Sequence, residues 1–424
     1  MLQSASLDDL KNLCATDDLT DIFCKLVSFD TKSDPTSQTV PSTKGQLVLG
    51  AYLVEELKAL GYEPQMDDLG VVTTKVKASE GYENCKRLCF LAHLDTAPDA
   101  SGANVSPRLV KNFKEDGIKL DNGLVIDNDL CPNLKDCKGY DIIVTDGTTL
   151  LGADDKAGVA VMVELLKTLK KDPSIKHGPL CFAFSVDEEI GTSADHLSLE
   201  KIDCDYGITI DGSSEGELDV ATFNASKAKV DFTGVSVHTA VAYKVLKNAV
   251  SLAAKFIELF PSSERPETTR DLEGFYHIHN IEGRTEEAHL DMIIRDFDLD
   301  GLKKREDFVR KCASFINDYV GYEACKVTIT KQYRNLGAVL AESPEILDIC
   351  RKSYKDANLN VIEKSIRGGT DGSNLSCRGL PCPNIFTGAL NCHGPYECLP
   401  VQSLHKSYDV ALALISNMTS TVRK

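Results

Sequence analysis

The run Thr148-Thr149-Leu150-Leu151-Gly152-Ala153-Asp154-Asp155-Lys156-Ala157-Gly158 decides how this chain is read. Two adjacent aspartates follow an apolar pair in a turn of small residues, and residues 157–169 beyond them read as a helix. A buried carboxylate without a partner is strongly disfavoured, so it needs a proton or a cation. The same residues also suit a helix N-cap, where aspartate is favoured by free N–H groups and the macrodipole. Taken alone, the run supports a cap and a site equally. The rest of the chain has to decide.

Working outward, five places set a hard or borderline metal ligand at the end of an apolar strand. Residues 88–92 deliver His93 and, two positions on, Asp95. In a strand those positions share a face, so Asp95 can hold one ring nitrogen while the other binds metal. Asp154-Asp155 is the second place. Residues 182–186 deliver Asp187-Glu188-Glu189, where adjacent glutamates can divide into a ligand and a base. Residues 208–210 deliver Asp211, and residues 383–390, a strand and loop, deliver His393. Each has an ordinary reading: a structural histidine, a helix start at the glutamates, a turn aspartate before Gly212. Together, two histidines and three carboxylates suit a pair of zinc or similar divalent ions roughly 3.5–4 Å apart, bridged by one carboxylate.

Around these residues the pattern is α/β. Residues 19–28 and 45–60 read as helices, and 71–76, 87–92, 180–186 and 206–210 as strands. Residues 109–145 read as hairpins and surface loops. Strands alternating with helices imply a sheet whose sites cluster at strand C-terminal ends. From about residue 220 the texture changes. A half-exposed strand at 227–232, a helix at 246–260, strands at 274–281 and 289–297, a helix at 302–319 and a strand at 326–330 make an α+β insertion. After Asn335 the first texture returns, with a helix at 344–356, a strand at 360–365 and a Gly-rich stretch. The expected division is therefore 1–219, 220–334 and 335–424.

Bulk properties narrow the function classes. A chain of 424 residues exceeds one compact core. Its net charge of -17, from 47 basic and 64 acidic residues without a basic cluster, argues against a nucleic-acid partner. No apolar run approaches a membrane span. Asp8, Asp9, Asp17 and Asp18 leave no basic-then-apolar leader, so none is expected. Fifteen cysteines at irregular spacing lack zinc-finger pairing. Cys24, Cys181 and Cys204 lie in apolar segments, and reduced, structural thiols in a cytoplasmic protein are expected.

The order of motifs is itself distinctive. His93-Leu94-Asp95-Thr96, the Asp154-Asp155 run and Asp187-Glu188-Glu189-Ile190-Gly191 resemble the M20 family of zinc peptidases. The tripeptide-aminopeptidase subgroup is the nearest likeness. Supporting it are Val40-Pro41-Ser42-Thr43, Ile293-Ile294-Arg295-Asp296-Phe297-Asp298 and Arg367-Gly368-Gly369-Thr370-Asp371-Gly372. Gly379-Leu380-Pro381-Cys382-Pro383-Asn384 and Asn391-Cys392-His393-Gly394 add to it, so the likeness covers nearly the whole chain. It implies a zinc-peptidase-like α/β catalytic domain, a mixed sheet flanked by helices, with an inserted α+β lid and dimerisation domain. It further implies two Zn2+ per subunit (Co2+ or Mn2+ as alternatives). His93 and Asp211 would hold one, Glu189 and His393 the other, and Asp154 would bridge them, with a cis peptide to Asp155. Glu188 would be the general base and Asp95 the residue orienting His93.

The same resemblance implies a metal-dependent aminopeptidase taking the N-terminal residue from short peptides, tripeptides foremost, through a water bound by both ions, in a cytoplasmic homodimer. His238, in Gly234-Val235-Ser236-Val237-His238, would stabilise the oxyanion across the dimer. Family members usually carry proline after this histidine, whereas this chain has Thr239. Arg295 and Arg367 are candidate clamps for the peptide carboxylate, since guanidinium binds it bidentately. For Arg295 a local pair with Asp296 or Asp298 is the alternative, and for Arg367 a surface role. A different M20 chemistry (dipeptidase, carboxypeptidase or N-acyl-amino-acid deacylase) is the rival activity. A non-catalytic binding relative is the rival of another class.

Overall fold

The computed structural model describes residues 17–114 and 116–423. Asp8 and Asp9, part of the leader argument, lie outside them. The chain forms two compact units, one comprising Met1–Val220, Leu340–Lys364 and Thr370–Lys424, the other Ala221–Val339 and Ser365–Gly369. Residues 335–339 and 365–369 thus fall in the second unit, where the sequence pattern had put them with the first.

The first unit is built on an eight-stranded mixed sheet. Its order is Gln65–Met66, Val72–Val76, Leu180–Ser185, Leu88–His93, Tyr206–Gly212, Asn384–Phe386, Glu217–Thr222 and Ile362–Ile366. Four neighbours, from Leu180–Ser185 to Asn384–Phe386, run parallel. Every residue of Leu88–His93 and of Leu180–Ser185 is buried, as expected for parallel strands covered on both faces. The helix Ala153–Lys171 packs on the strands Leu88–His93 and Tyr206–Gly212 and against the helices Asp18–Val27 and Val401–Asn417. Gly158 makes that approach possible. A Cβ there would lie 2.1 Å from the carbonyl oxygen of Ile210, so any side chain would push the helix off the strand that carries Asp211.

The second unit holds a four-stranded antiparallel sheet in the order Phe275–Gly283, Glu287–Asp296, Asn224–Thr233 and Cys325–Tyr333. Beyond Ser226, Asn224–Thr233 alternates strictly between exposed and buried positions. Its buried face packs with the helices Ala249–Glu258 and Leu299–Val320 around Phe232, Phe256, Met292 and Ile316.

Three readings of the sequence need correction here. The residues before Asp154 form no strand: Asp154 and Asp155 have non-helical backbone at the head of Ala153–Lys171. The strand Asn384–Phe386 stops well short of His393. Only His93, the Asp187-Glu188-Glu189 group and Asp211 sit at or just past the ends of apolar strands. Finally, Cys24 is disulfide-bonded rather than a free thiol; Cys89, Cys181, Cys204 and Cys382 are free, as expected.

One buried carboxylate of the sheet has a measurable consequence. Asp219 accepts from Asn384 Nδ2 at 2.8 Å through Oδ2, while Oδ1 is buried without a hydrogen-bond partner. Burial, helped by Glu217, pushes its pKa up to about 7. An unfolded aspartate releases its proton near ~3.9. Between those values the folded state binds more protons than the unfolded one. Stability should therefore fall as pH rises through that window, by at most about 1.4 kcal/mol per pH unit. Asp219→Asn should narrow the difference between denaturant unfolding at pH 5 and at pH 8. An unchanged difference would assign that titration to other groups.

Candidate metal centre

Strand register places the first two ligands. Leu91 pairs with Thr209, so two residues further on His93 and Asp211 stand level on neighbouring parallel strands. His93 Nε2 lies 2.9 Å from Asp154 Oδ1 and 3.6 Å from Asp211 Oδ1. His393 Nε2 lies 3.2 Å from Asp154 Oδ2 and 3.1 Å from Glu189 Oε2. Two clusters result, His93–Asp154–Asp211 and Asp154–Glu189–His393, each with its ligand atoms within 4.8 Å of one another. Asp154 belongs to both, one carboxylate oxygen facing each histidine. The Asp154-Asp155 peptide is cis.

Supporting residues hold each ligand in place. His93 Nδ1 lies 3.1 Å from the Asp95 carbonyl and 3.3 Å from its carboxylate. The same carboxylate accepts the backbone N–H groups of Glu188 and Glu189 at 3.0 and 3.1 Å. Asp95 therefore fixes both His93 and the two glutamates. Asp155 accepts from the His93 and Gly158 backbones, each at 3.1 Å, and makes no part of either cluster. The neighbouring Lys156 turns away: its ammonium donates to the Phe29 carbonyl at 2.7 Å.

Three carboxylates that sequence reasoning passed over complete the frame. Glu397, wholly buried, accepts from the backbone N–H of Leu151, Gly152 and Asp154 at 2.7, 2.8 and 3.1 Å, clamping the loop that presents Asp154. Asp187 has left-handed backbone (φ 60°) and accepts from Ser42 and Gln46, which orients the turn into Glu188. Asp371 accepts from Ser185 and Ser193 hydroxyls at 2.9 and 2.7 Å. Glu397 lies four residues beyond His393, and Asp187 and Asp371 stand inside quoted motifs, but nothing in the sequence showed what each of them holds. His393 is also left-handed (φ 70°), an uncommon conformation for a non-glycine residue and one that clusters at functional sites.

The electrostatics call for cations. Burial pushes Asp211 up to about 7, aided by the charge of Asp154, and raises Glu189 for the same reasons. Burial also lifts Glu188 well above the usual carboxylate range, with Asp211, Asp371 and Glu189 adding to it against the pull of His93. Burial would keep His93 neutral, but Asp154, Asp211 and Asp95 outweigh it and favour the imidazolium. Asp154 and Glu189 push His393 up to about 11. Protons on the two imidazoles thus stand where a divalent ion would balance the charge. Glu189 Oε1 is buried without a hydrogen-bond partner, as a ligand oxygen awaiting a cation would be. Imidazole and carboxylate donors suit zinc, cobalt or manganese. Cys392, beside His393, is kept a thiol by burial and the surrounding carboxylates. The residues fit a two-cation centre.

The other three site candidates lie in the second unit. His238 Nδ1 accepts from the Ala240 backbone, opening a short 3-10 turn at Thr239–Val241. Arg295 Nη1 donates to the carbonyls of Ser226 and Ile294 and to Gln332, and its guanidinium lies over the Tyr333 ring. It makes no pair with Asp296 or Asp298; Asp296 pairs with Arg305 instead. Arg367 donates to the carbonyls of Asp271 and Glu273 and to Thr269 Oγ1, above Phe223 and Phe275.

Fold and site together define a family. The family model described as Peptidase family M20/M25/M40 matches residues 146–417, and the chain belongs to that family. Among its relatives is Peptidase T of Clostridium perfringens (strain SM101 / Type A), 42% identical over 394 residues that cover 93% of this chain and 97% of that protein. Solved structures share the fold. An aminopeptidase PepT from Bacillus cereus ATCC 10987 superposes with TM-score 0.73 at 22% identity, covering 96% of this chain and 99% of the other. A tripeptidase from Staphylococcus aureus subsp. aureus Mu50 gives 0.74 at 23%, with the same coverage.

Proposed function

We propose that this chain is a dizinc aminopeptidase that releases the N-terminal residue of short peptides, tripeptides foremost. Its family, its Peptidase T relative and the aminopeptidase and tripeptidase of the same fold support that activity. The observation that carries it is one carboxylate, Asp154, shared by two ligand clusters with the Glu188-Glu189 pair beside them. His93 and Asp211 would hold one ion and His393 and Glu189 the other, with Asp154 within reach of both. When bound, such ions acidify a water toward neutral pH and act as Lewis acids on the scissile carbonyl.

The chain's own residues do the rest. Glu188 takes the proton of the attacking water and delivers it to the leaving amine; its raised affinity for a proton suits a group that must hold one in mid-reaction. Asp95 positions rather than reacts, because its carboxylate fixes the His93 ring and the Glu188 backbone. His238 of the partner subunit supplies an oxyanion donor in a homodimer formed through the second unit. Arg295 and Arg367 receive the substrate carboxylate, since guanidinium pairs with it bidentately. Buried free thiols such as Cys89 and Cys382 fit a cytoplasmic protein.

A three-substrate comparison tests the reading. A free tripeptide should be cleaved to its N-terminal residue and a dipeptide, its N-acetylated form should resist, and its C-terminal amide should show a raised KM. Full cleavage of the acetylated peptide would favour a deacylase or carboxypeptidase and sink the aminopeptidase. An unchanged KM for the amide would remove the carboxylate clamp.

A further inference from the structure

Far from the metal centre, at the opposite ends of the same strands, lies a group of thiols that the peptidase reaction does not use. Lys75, Cys181 and Cys89 occupy one row across three adjacent strands: Lys75 pairs with Cys181, and Cys181 with Cys89. In such a row all three side chains share a face. Cys204 lies in the loop leading into the strand Tyr206–Gly212, its Sγ donating to the Ile202 carbonyl at 3.4 Å, and its thiol and those of Cys181 and Cys89 perturb one another. Cys89 and Cys181 are buried, whereas Cys204 is half-buried.

A cavity of about 210 Å³ opens over this group. Cys181 and Cys204 line it together with Lys75, Lys77, Arg87 and the acidic Asp203, and Cys89 does not. Arg87 pins the Cys204 loop through ion pairs to Asp203 and Asp205. Two thiols on the wall of one cavity, with Lys75, Lys77 and Arg87 around them and one of them half-open to solvent, are arranged for thiolate chemistry. A structural role for three small hydrophobes would need neither the cavity nor the cationic lining.

We propose that Cys181 and Cys204 are a peroxide-responsive pair that closes reversibly into a disulfide at the floor of this cavity. Cys181, whose thiolate is favoured by Cys204 and Cys89 against burial, with Lys75 adding to them, attacks one oxygen of hydrogen peroxide. The O–O bond breaks, and the departing hydroxide takes up the proton that the Cys181 thiol released and leaves as water, giving a sulfenic acid. Cys204, until then held as a thiol by the Cys181 thiolate, attacks the Cys181 sulfur and gives up its proton. The S–O bond breaks, and its hydroxide takes that proton and leaves as water. Two thiols and one peroxide thus become one disulfide and two waters. Cys89 stays out, because it lines no part of the space through which peroxide enters and water leaves.

Peptide mapping of the full-length, metal-loaded protein tests this. The protein is treated with hydrogen peroxide, its remaining thiols are alkylated, and it is digested without reductant. A Cys181–Cys204 linked peptide should dominate and disappear with dithiothreitol, and in Cys204→Ser it should be absent, with Cys181 recovered unlinked. That variant, remote from the metal ligands, should keep the peptidase activity of the unoxidised enzyme. Because the mapping itself is done on the unsubstituted protein, it does not depend on the variant folding. Both thiols recovered alkylated after peroxide, or a link to Cys89 in place of Cys204, would overturn the proposal.

Discussion

Replacing Glu188 by glutamine should lower kcat by about 10²–10⁴-fold, the range general acid–base catalysis commonly supplies. KM for a tripeptide and the bound-metal content should stay near their starting values. The substitution keeps the size of the side chain and removes only its ability to take up a proton. Glu188 belongs to neither ligand cluster. Its backbone N–H is held by Asp95, a contact that glutamine at 188 leaves intact. Glu189→Gln is the informative control. Its carboxylate lies 3.1 Å from His393, so that change should lower metal content together with rate. Adjacent glutamates would then separate by measurement, one losing turnover alone and the other losing turnover with metal. If Glu188→Gln loses metal in proportion to activity, the two roles are exchanged or shared. Full activity in Glu188→Gln would move the base elsewhere.

That these two neighbours could be told apart at all depended on how each part of the site is written in the sequence. His93 and Asp211 were readable because each ends a run of buried apolar residues, and a polar residue at such an end has little choice but to face the sheet edge. Asp154 was readable as a pair of aspartates, but its setting was not: it stands at the head of a helix, where backbone departs from any period. His393 sits in a left-handed turn beyond a three-residue strand, and nothing periodic points to it. Asp187 and Glu397 act on backbone N–H groups or side chains far away in sequence, so their neighbours in the chain do not reveal what they hold. The short helix Asp371–Cys377 hid behind Gly368, Gly369 and Gly372, although Thr370 and Ser373 form the reciprocal cap that starts it. Partners of buried charge escaped in the same way. Lys156, next to Asp155 in the chain, is bonded to a carbonyl more than a hundred residues away.

Asp154→Asn should cost both ions, not one. The two carboxylate oxygens face different histidines, 2.9 Å to His93 and 3.2 Å to His393, and each cluster contains this residue. An amide offers one oxygen and no charge, so it cannot serve two cations, and its NH2 group would meet one of the imidazoles. The purified variant should retain little divalent metal by elemental analysis and fall at least about 10³-fold in activity, because both the acidified water and the Lewis acid are lost together. Asp155→Asn supplies the contrast. Asp155 holds the backbone of His93 and Gly158 without joining either cluster, so its loss should weaken metal binding by about 10–100-fold, as for other residues that orient ligands. Saturating zinc should then restore much of the activity of Asp155→Asn but little of Asp154→Asn. Chelation of the unsubstituted enzyme should abolish turnover, with recovery on adding metal back. Loss of a single ion from Asp154→Asn, with the second retained at full occupancy, would remove the shared carboxylate and leave two separate sites. The adjacent aspartates would in that case not divide into a ligand and a support.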